Sequence, residues 1–433
     1  MVNAISTLIG VEVEGEDEYA GTLYGNNGSV YAIPYDARRV MKFNPVDKSI
    51  TYIGPDFGDD MKKWFIGVIT DNGIICCPPC SSNHGILKID TNTDTVTELD
   101  GNLLQERGNG MMWVSCAATL DGCIYFMPYK ARRIMKLDPN NNDAISSAGD
   151  NLGDKYCKFI GTVIGIDGCV YGIPTLSKRI VKYDPISDTA SFVGEVNDEY
   201  FGCNGNGALA RDGCIYAITL DGRVLKIDTT NSSHCFVGSS IEFDHYGYGY
   251  GWSDAILGID GCIYWPPHNA RRILKYDPHS DQISLVGDDY GNTAYKWHGG
   301  SLASDGVIYC IPRYETRILS IDPWNEYTSF LQKNMVQHPA QLGCVFHPSD
   351  DILTETNFDR AVIKFGYTKV FKAFEACTRT SFPSTDEACA QAISNLYPFI
   401  MAASYRNSDL SVIYQLLRQI PTLMNCSNRV SNV

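Results

Sequence analysis

Arginine recurs at one register of this sequence, at Arg39, Arg133, Arg179, Arg223, Arg272 and Arg317, and is doubled as Arg38-Arg39, Arg132-Arg133 and Arg271-Arg272. Guanidinium groups gathered in a ring would grip carboxylates or phosphates bidentately. Acidic and aromatic stretches follow four of them, at Asp56 to Asp60, Asp150 to Asp154, Asp198 to Tyr200 and Asp288 to Tyr290. A residue present in nearly every repeat ordinarily serves the repeat, so pairing of each arginine with a nearby aspartate is the expected role. The segment Ser239–Trp252 breaks the pattern. Within it lie Glu242, Phe243, Asp244, His245, Tyr246, Tyr248, Tyr250 and Trp252, the tyrosines alternating with glycines. Tyrosine on glycine-rich backbone offers large amphipathic contact area with adaptable geometry. This loop is the first candidate for recognition, and Gly101–Met112 is a second, weaker one.

Other reactive residues are less organised. Cys77-Pro-Pro-Cys80 has the spacing of redox and zinc motifs. It stands where other units carry Ile-Pro-Tyr, and no second pair completes a zinc site, so a packing role is expected. The histidines, His84, His234, His245, His268, His279, His298, His338 and His347, show no close pairing. No nucleophile elbow, phosphate loop or EF-hand calcium loop occurs. The expectation is therefore no catalytic residue, no metal and no cofactor.

The elements that must hold these residues form a repeat. Aligned on the glycine of Asp/Asn-Gly-x-x-Tyr, the units fall at Gly28, Gly73, Gly122, Gly168, Gly213, Gly261 and Gly306, about 46 residues apart. In the sixth, four strand-like segments are read at Ser253–Ile259, Cys262–Trp265, Ile273–Tyr276 and Gln282–Val286. Asp260-Gly261 marks a hairpin and Asp277-Pro278 another turn. Four antiparallel strands in 40–50 residues make one propeller blade. The fold class is all-β, a seven-bladed β-propeller, with a small C-terminal α-helical extension. Trp64, Trp113, Trp252 and Trp297 each lie nine residues before the turn glycine and read as wedges between blades.

Both ends of the repeat array offer a closing strand, Ile5–Val11 and Tyr327–Leu331. Gln341–Asp350 resembles a degenerate further strand, so an eight-bladed ring is the alternative. The B–C and D–A loops should emerge at one end of the ring, where variable residues collect. The Asp-Gly and Asp-Pro turns should emerge at the other.

The propeller is assigned to residues 1–350 and the helical segment to 351–433. In the tail Phe358, Val362 and Phe365 recur at helical spacing, and Ser384 to Glu387 forms a capping box. Residues 396–423 resemble a single ankyrin-type helix pair, which cannot bury its own apolar face and must pack on the propeller or a partner.

Residues 261–289 contain Asp-Gly-Cys-Ile-Tyr, Ala-Arg-Arg-Ile-Leu-Lys-Tyr-Asp-Pro and Ser-Leu-Val-Gly-Asp-Asp. They resemble a kelch-like propeller repeat of a kind found in microalgal proteins, and the resemblance covers residues 5–330. It implies the fold more than an activity, because propellers host enzymes and scaffolds alike.

The formal net charge of −15 opposes general nucleic-acid binding and docking on anionic lipid. No secretory signal or membrane-spanning apolar run is read. Cys123, Cys169, Cys214 and Cys262 share one repeat position. Equivalent positions on neighbouring blades would be too far apart for a disulfide, so these cysteines read as buried apolar residues in a reducing compartment. The expected function is a non-enzymatic, intracellular, cytoplasmic scaffold that binds a protein or peptide on the B–C/D–A loop end. One alternative is a hydrolase or lactonase-like enzyme with a metal at the channel mouth. Another is a carbohydrate-binding propeller.

Overall fold

The computed structural model describes residues 6–13, 18–80, 83–99, 111–177, 179–193, 202–239, 241, 251–258 and 260–323. The chain divides into Met1–Pro323 and Trp324–Val433. The helical tail, the strand expected at 327–331 and the stretch 341–350 lie outside the described residues.

Seven four-stranded antiparallel sheets form the first unit. Each is a meander whose strands A to D run in chain order, save the last. Blade six has strand A at Ile256–Leu257, B at Ile263–Trp265, C at Ile273–Asp277 and D at Gln282–Val286. Strand A is shorter than its sequence suggests because its backbone turns to the neighbouring blade: the Ala255 N–H donates to Asn206 O at 3.0 Å. The A strands contact one another round a closed ring, blade seven touching blade one. That closure overturns the eight-bladed alternative.

The N-terminus supplies the closing strand. Ser6–Glu12 pairs antiparallel with Arg317–Ile321, Ser6 opposite Ile321 and Leu8 opposite Leu319, and becomes strand D of blade seven. Among the described residues no helix is long and apolar enough to cross a membrane.

The hairpin motif has a local physical cause. The turn glycines from Gly28 to Gly306 hold φ between 76° and 84°, a region that costs a side chain but not glycine. The preceding aspartate caps the turn: Asp260 Oδ1 accepts from Cys262 N at 3.2 Å and Oδ2 from the Tyr264 hydroxyl at 2.9 Å. Lys275 on strand C reaches the same carboxylate at 3.2 Å. Blades four and five repeat the box with Asp167, Tyr171 and Lys182 and with Asp212, Tyr216 and Lys226. The uniform turns are therefore architecture.

The core lies between blades. Tyr31, Ile33 and Val40 of blade one pack with Trp64, Ile75 and Leu87 of blade two. Trp64, Trp113, Trp252 and Trp297 are buried. Each indole N–H donates to a backbone carbonyl at the start of strand C: Gly85, Arg133, Arg272 and Arg317, at 2.9, 3.1, 2.8 and 2.9 Å. Twelve described cysteines are free thiols, all buried except Cys235. Burial pushes the Cys76 thiol up to about 12 and raises Cys77 and Cys80 as well.

Candidate functional site

Four of the six repeat arginines, and all three that double them, are bound within their own blades or the loops leaving them. Arg38 binds Asp56 through Nε at 3.0 Å and a terminal nitrogen at 2.7 Å, and Arg271 binds Asp289 through Nε at 2.9 Å. Arg132 pairs with Asp154. Arg133 and Arg272 donate to the Gly149 and Gly287 carbonyls at 2.6 and 2.9 Å. Arg179 and Arg223 stack on Phe192 and Phe236, 4.4 and 3.9 Å from the ring centroids. Arg39 is exposed, and Arg317 sits in the strand that pairs with the N-terminus. Each partner named belongs to the arginine's own blade or the loop leaving it, so side chain and chain turn are tied locally.

Residues 242–250 of the expected recognition loop lie outside the described residues, as does most of Gly101–Met112. Trp252 is described, and it fills the repeated tryptophan position, buried and bonded to Arg272.

A different set of residues meets at the axis, at the B–C/D–A end. Arg313 follows Pro312, which bridges to Trp297 just beyond the strand Ile308–Cys310 of blade seven, and its Nε and a terminal nitrogen contact Glu18 Oε2 at 3.0 and 2.9 Å. Three tyrosines surround the guanidinium, with Tyr35 and Tyr295 centroids at 5.1 and 5.2 Å and Tyr314 at 6.0 Å. Tyr295 and Tyr314 pack edge to face and remain 40% and 52% exposed. Phe65 packs against Tyr35 and, at 4.7 Å, against His298. His268 lies between His298 and Tyr295, at 5.6 and 4.9 Å.

Beneath this rim stands Asp254. Its Oδ1 accepts from Asn206 N at 2.6 Å, and Oδ2 is 3.9 Å from His298 Nδ1. Burial raises its carboxyl to about 6, opposed by the Asn206 hydrogen bond. Burial, with His268 and Arg313 nearby, holds the His298 imidazole well below its ordinary value. Burial thus favours the neutral form of both groups, and the neutral imidazole keeps one N–H donor and one acceptor nitrogen beside the carboxyl group. Asp254 also lines an axial cavity of about 240 Å³, shared with Thr22, Leu23, Leu257, Ser301 and Leu302. Among the described residues no group of three or more His, Cys, Asp or Glu is placed to hold a metal ion.

Buried lysines brace the loops behind the rim. Lys63, Lys158 and Lys296 each precede the Trp or Phe of strand A. Lys296 Nζ donates to Thr293 O at 2.6 Å, Lys158 Nζ to Lys155 O at 2.9 Å, and Lys63 Nζ to Asp36 O at 3.0 Å. Burial lowers Lys296 to about 8.

Loop irregularity did not point to these residues; two columns of the repeat do. The position after the tryptophan reads Phe65, Val114, Ile160, Gly205, Ser253 and His298 in blades two to seven. The next reads Ile66, Ser115, Gly161, Asn206, Asp254 and Gly299. Both vary from blade to blade, and Ile66, Asn206 and Asp254 of the second line the axial cavity.

Fold and axial collar together define a seven-bladed β-propeller with an aromatic mouth. The chain is similar in fold to a streptogramin B lyase, with a TM-score of 0.59 and 15% identity, over 73% of this chain and 97% of that chain. It is similar also to a catalytically inactive histidine-to-alanine variant of virginiamycin B lyase from Staphylococcus aureus with quinupristin, at 0.58 and 14%, over 73% and 98%. A third likeness, at 0.53 and 10%, is to the extracellular domain of a candidate one-component system from B. thetaiotaomicron, over 72% of this chain and 40% of that chain. No protein-family model and no curated protein matches the sequence.

Proposed function

We propose that this propeller is a recognition scaffold that binds a protein or peptide partner at the mouth of the B–C/D–A end. The exposed Tyr295–Tyr314 pair, backed by the ion pair of half-buried Arg313 with buried Glu18, carries the reading. Exposed tyrosines held by a rigid second layer bind with little ordering cost. The recognition loop at 242–250 belongs to the same proposal, as do the kelch-like character of the repeat and an intracellular address. Free, buried thiols are compatible with a reducing compartment.

The test is affinity capture with the full chain, comparing wild type, a Tyr295→Ala/Tyr314→Ala double variant, and Leu120→Ser in a distant turn. A partner bound by wild type and the Leu120 variant but lost from the tyrosine variant is the expected result. Identical recovery from all three would remove the reading's support.

A second reading, an enzyme, is favoured by Asp254 and His298 at the axis, and by the likeness to a lyase described as inactive after loss of a histidine. Turnover of quinupristin or simple lactones that disappears in His298→Gln would establish it.

A further inference from the structure

We propose that the axial cavity binds an alkylammonium group, its head seated between the Asp254 carboxylate and the Thr22 hydroxyl and its chain against Leu23, Leu257 and Leu302. The inference rests on the recognition reading above and names the chemistry that its axis selects.

Asp254 is the starting point. Its side chain is 11% exposed, and a carboxylate so placed is costly unless a cation and hydrogen bonds compensate it. The cations nearest the mouth are committed elsewhere. Arg313 is forked onto Glu18, and the Lys296 ammonium donates to three backbone carbonyls, those of Thr293, Asn269 and Gly291. His298, at 3.9 Å, is held neutral by burial. The other neighbours of the carboxylate bring no charge: Gly205 and Asn206 from blade five and Gly299 from blade seven.

Thr22 is the second, independent observation. Its Oγ1 is buried, lines the same cavity, and finds no hydrogen-bond partner among the described residues. An orphaned buried hydroxyl costs about 1–3 kcal/mol. An ammonium head has three donors and no acceptor, which suits a carboxylate oxygen, an unpaired hydroxyl and the nearby Ser301. Leu23, Leu257 and Leu302 supply the apolar wall that an alkyl chain needs. A volume of about 240 Å³ lies below the range of pockets for drug-sized ligands, so the guest is a small group or one side chain.

The test is titration calorimetry on the full chain in amine-free buffer near neutral pH, with n-butylammonium chloride as the probe and n-butanol and sodium chloride as controls. Saturable binding of n-butylammonium alone, weakened about tenfold or more by Asp254→Asn, is the expected result. Thr22→Val should weaken it by a smaller factor, and serves if the Asp254 variant loses its fold by circular dichroism. No saturable binding, or binding shared equally by n-butanol or retained in both variants, would overturn the proposal. Comparison with an Nα-acetylated lysine amide separates a free amine from a partner's lysine side chain. The probe needs no partner, so failure here leaves the tyrosine-rim test standing, and the reverse holds.

Discussion

His298 Nδ1 stands 3.9 Å from Asp254 Oδ2, too far for a hydrogen bond, although both side chains are buried at the axis. Glycine backbone leaves the room that the carboxylate occupies. A Cβ on Gly205 would come within 2.5 Å of Asp254 Oδ1, and one on Gly299 within 2.8 Å of Oδ2. Gly205 also holds φ at 104°, which side chains rarely adopt. Two glycines therefore cradle a carboxylate that contributes nothing obvious to stability, the pattern of a site retained for use.

Asp254 should cost stability at neutral pH. Its folded value is raised from 3.8 to about 6, so the folded state holds the proton more tightly than the unfolded one. The penalty is absent below 3.8, grows as pH rises to about 6, and stays constant above it. Asp254→Asn should therefore be more stable than wild type near pH 7.5 by on the order of 3 kcal/mol, with the gap closing toward pH 4. Urea midpoints across that range check it, and a gap independent of pH would refute the cause.

The turn boxes should differ in strength with their membership. Asp260 holds Tyr264, Cys262 N and Lys275, whereas Asp305 holds Tyr309 and Val307 N with Ser320 opposite instead of lysine. Asp260→Ala should destabilise by about 3 kcal/mol, because it removes the ion pair with Lys275 as well as two hydrogen bonds of a buried carboxylate. Asp305→Ala should cost about 1–2 kcal/mol. Equal losses in chemical denaturation would count against the lysine's part.

Tryptophan wedges should act by volume more than by their N–H. Trp297 is 1% exposed, and Trp297→Ala should cost about 4 kcal/mol. Replacing Trp64 with Phe, which removes the bond to Gly85 O and some ring area, should cost about 1–2 kcal/mol. Thermal unfolding of both variants reads the difference.

The seam should be the sensitive point of the ring. Leu8 of the closing strand packs against the blade six–seven core that contains Ile273, Trp297 and Leu319. Leu8→Asp should lower stability by about 3 kcal/mol and accelerate proteolysis near both ends of the propeller. Cleavage confined to other regions would show that closure does not depend on this strand.

Much of the architecture is legible in the sequence because each blade is specified locally. Asp-Gly needs its positive φ, the tryptophan its buried carbonyl, and the strands their alternation, all within one period of about 46 residues. The seven units follow from that repetition. Three matters were decided only in three dimensions. Ser6–Glu12, one of the two closing strands that the sequence offers, takes the D position of blade seven, a choice made by pairing across more than 300 residues. Arg133, Arg179, Arg223 and Arg272 are bound within their own blades. The axial set of Asp254, His298, Arg313 and Thr22 comes from blades six, seven and one. Each of these residues is unremarked in its own repeat, and only the curvature of the ring brings their side chains to one axis.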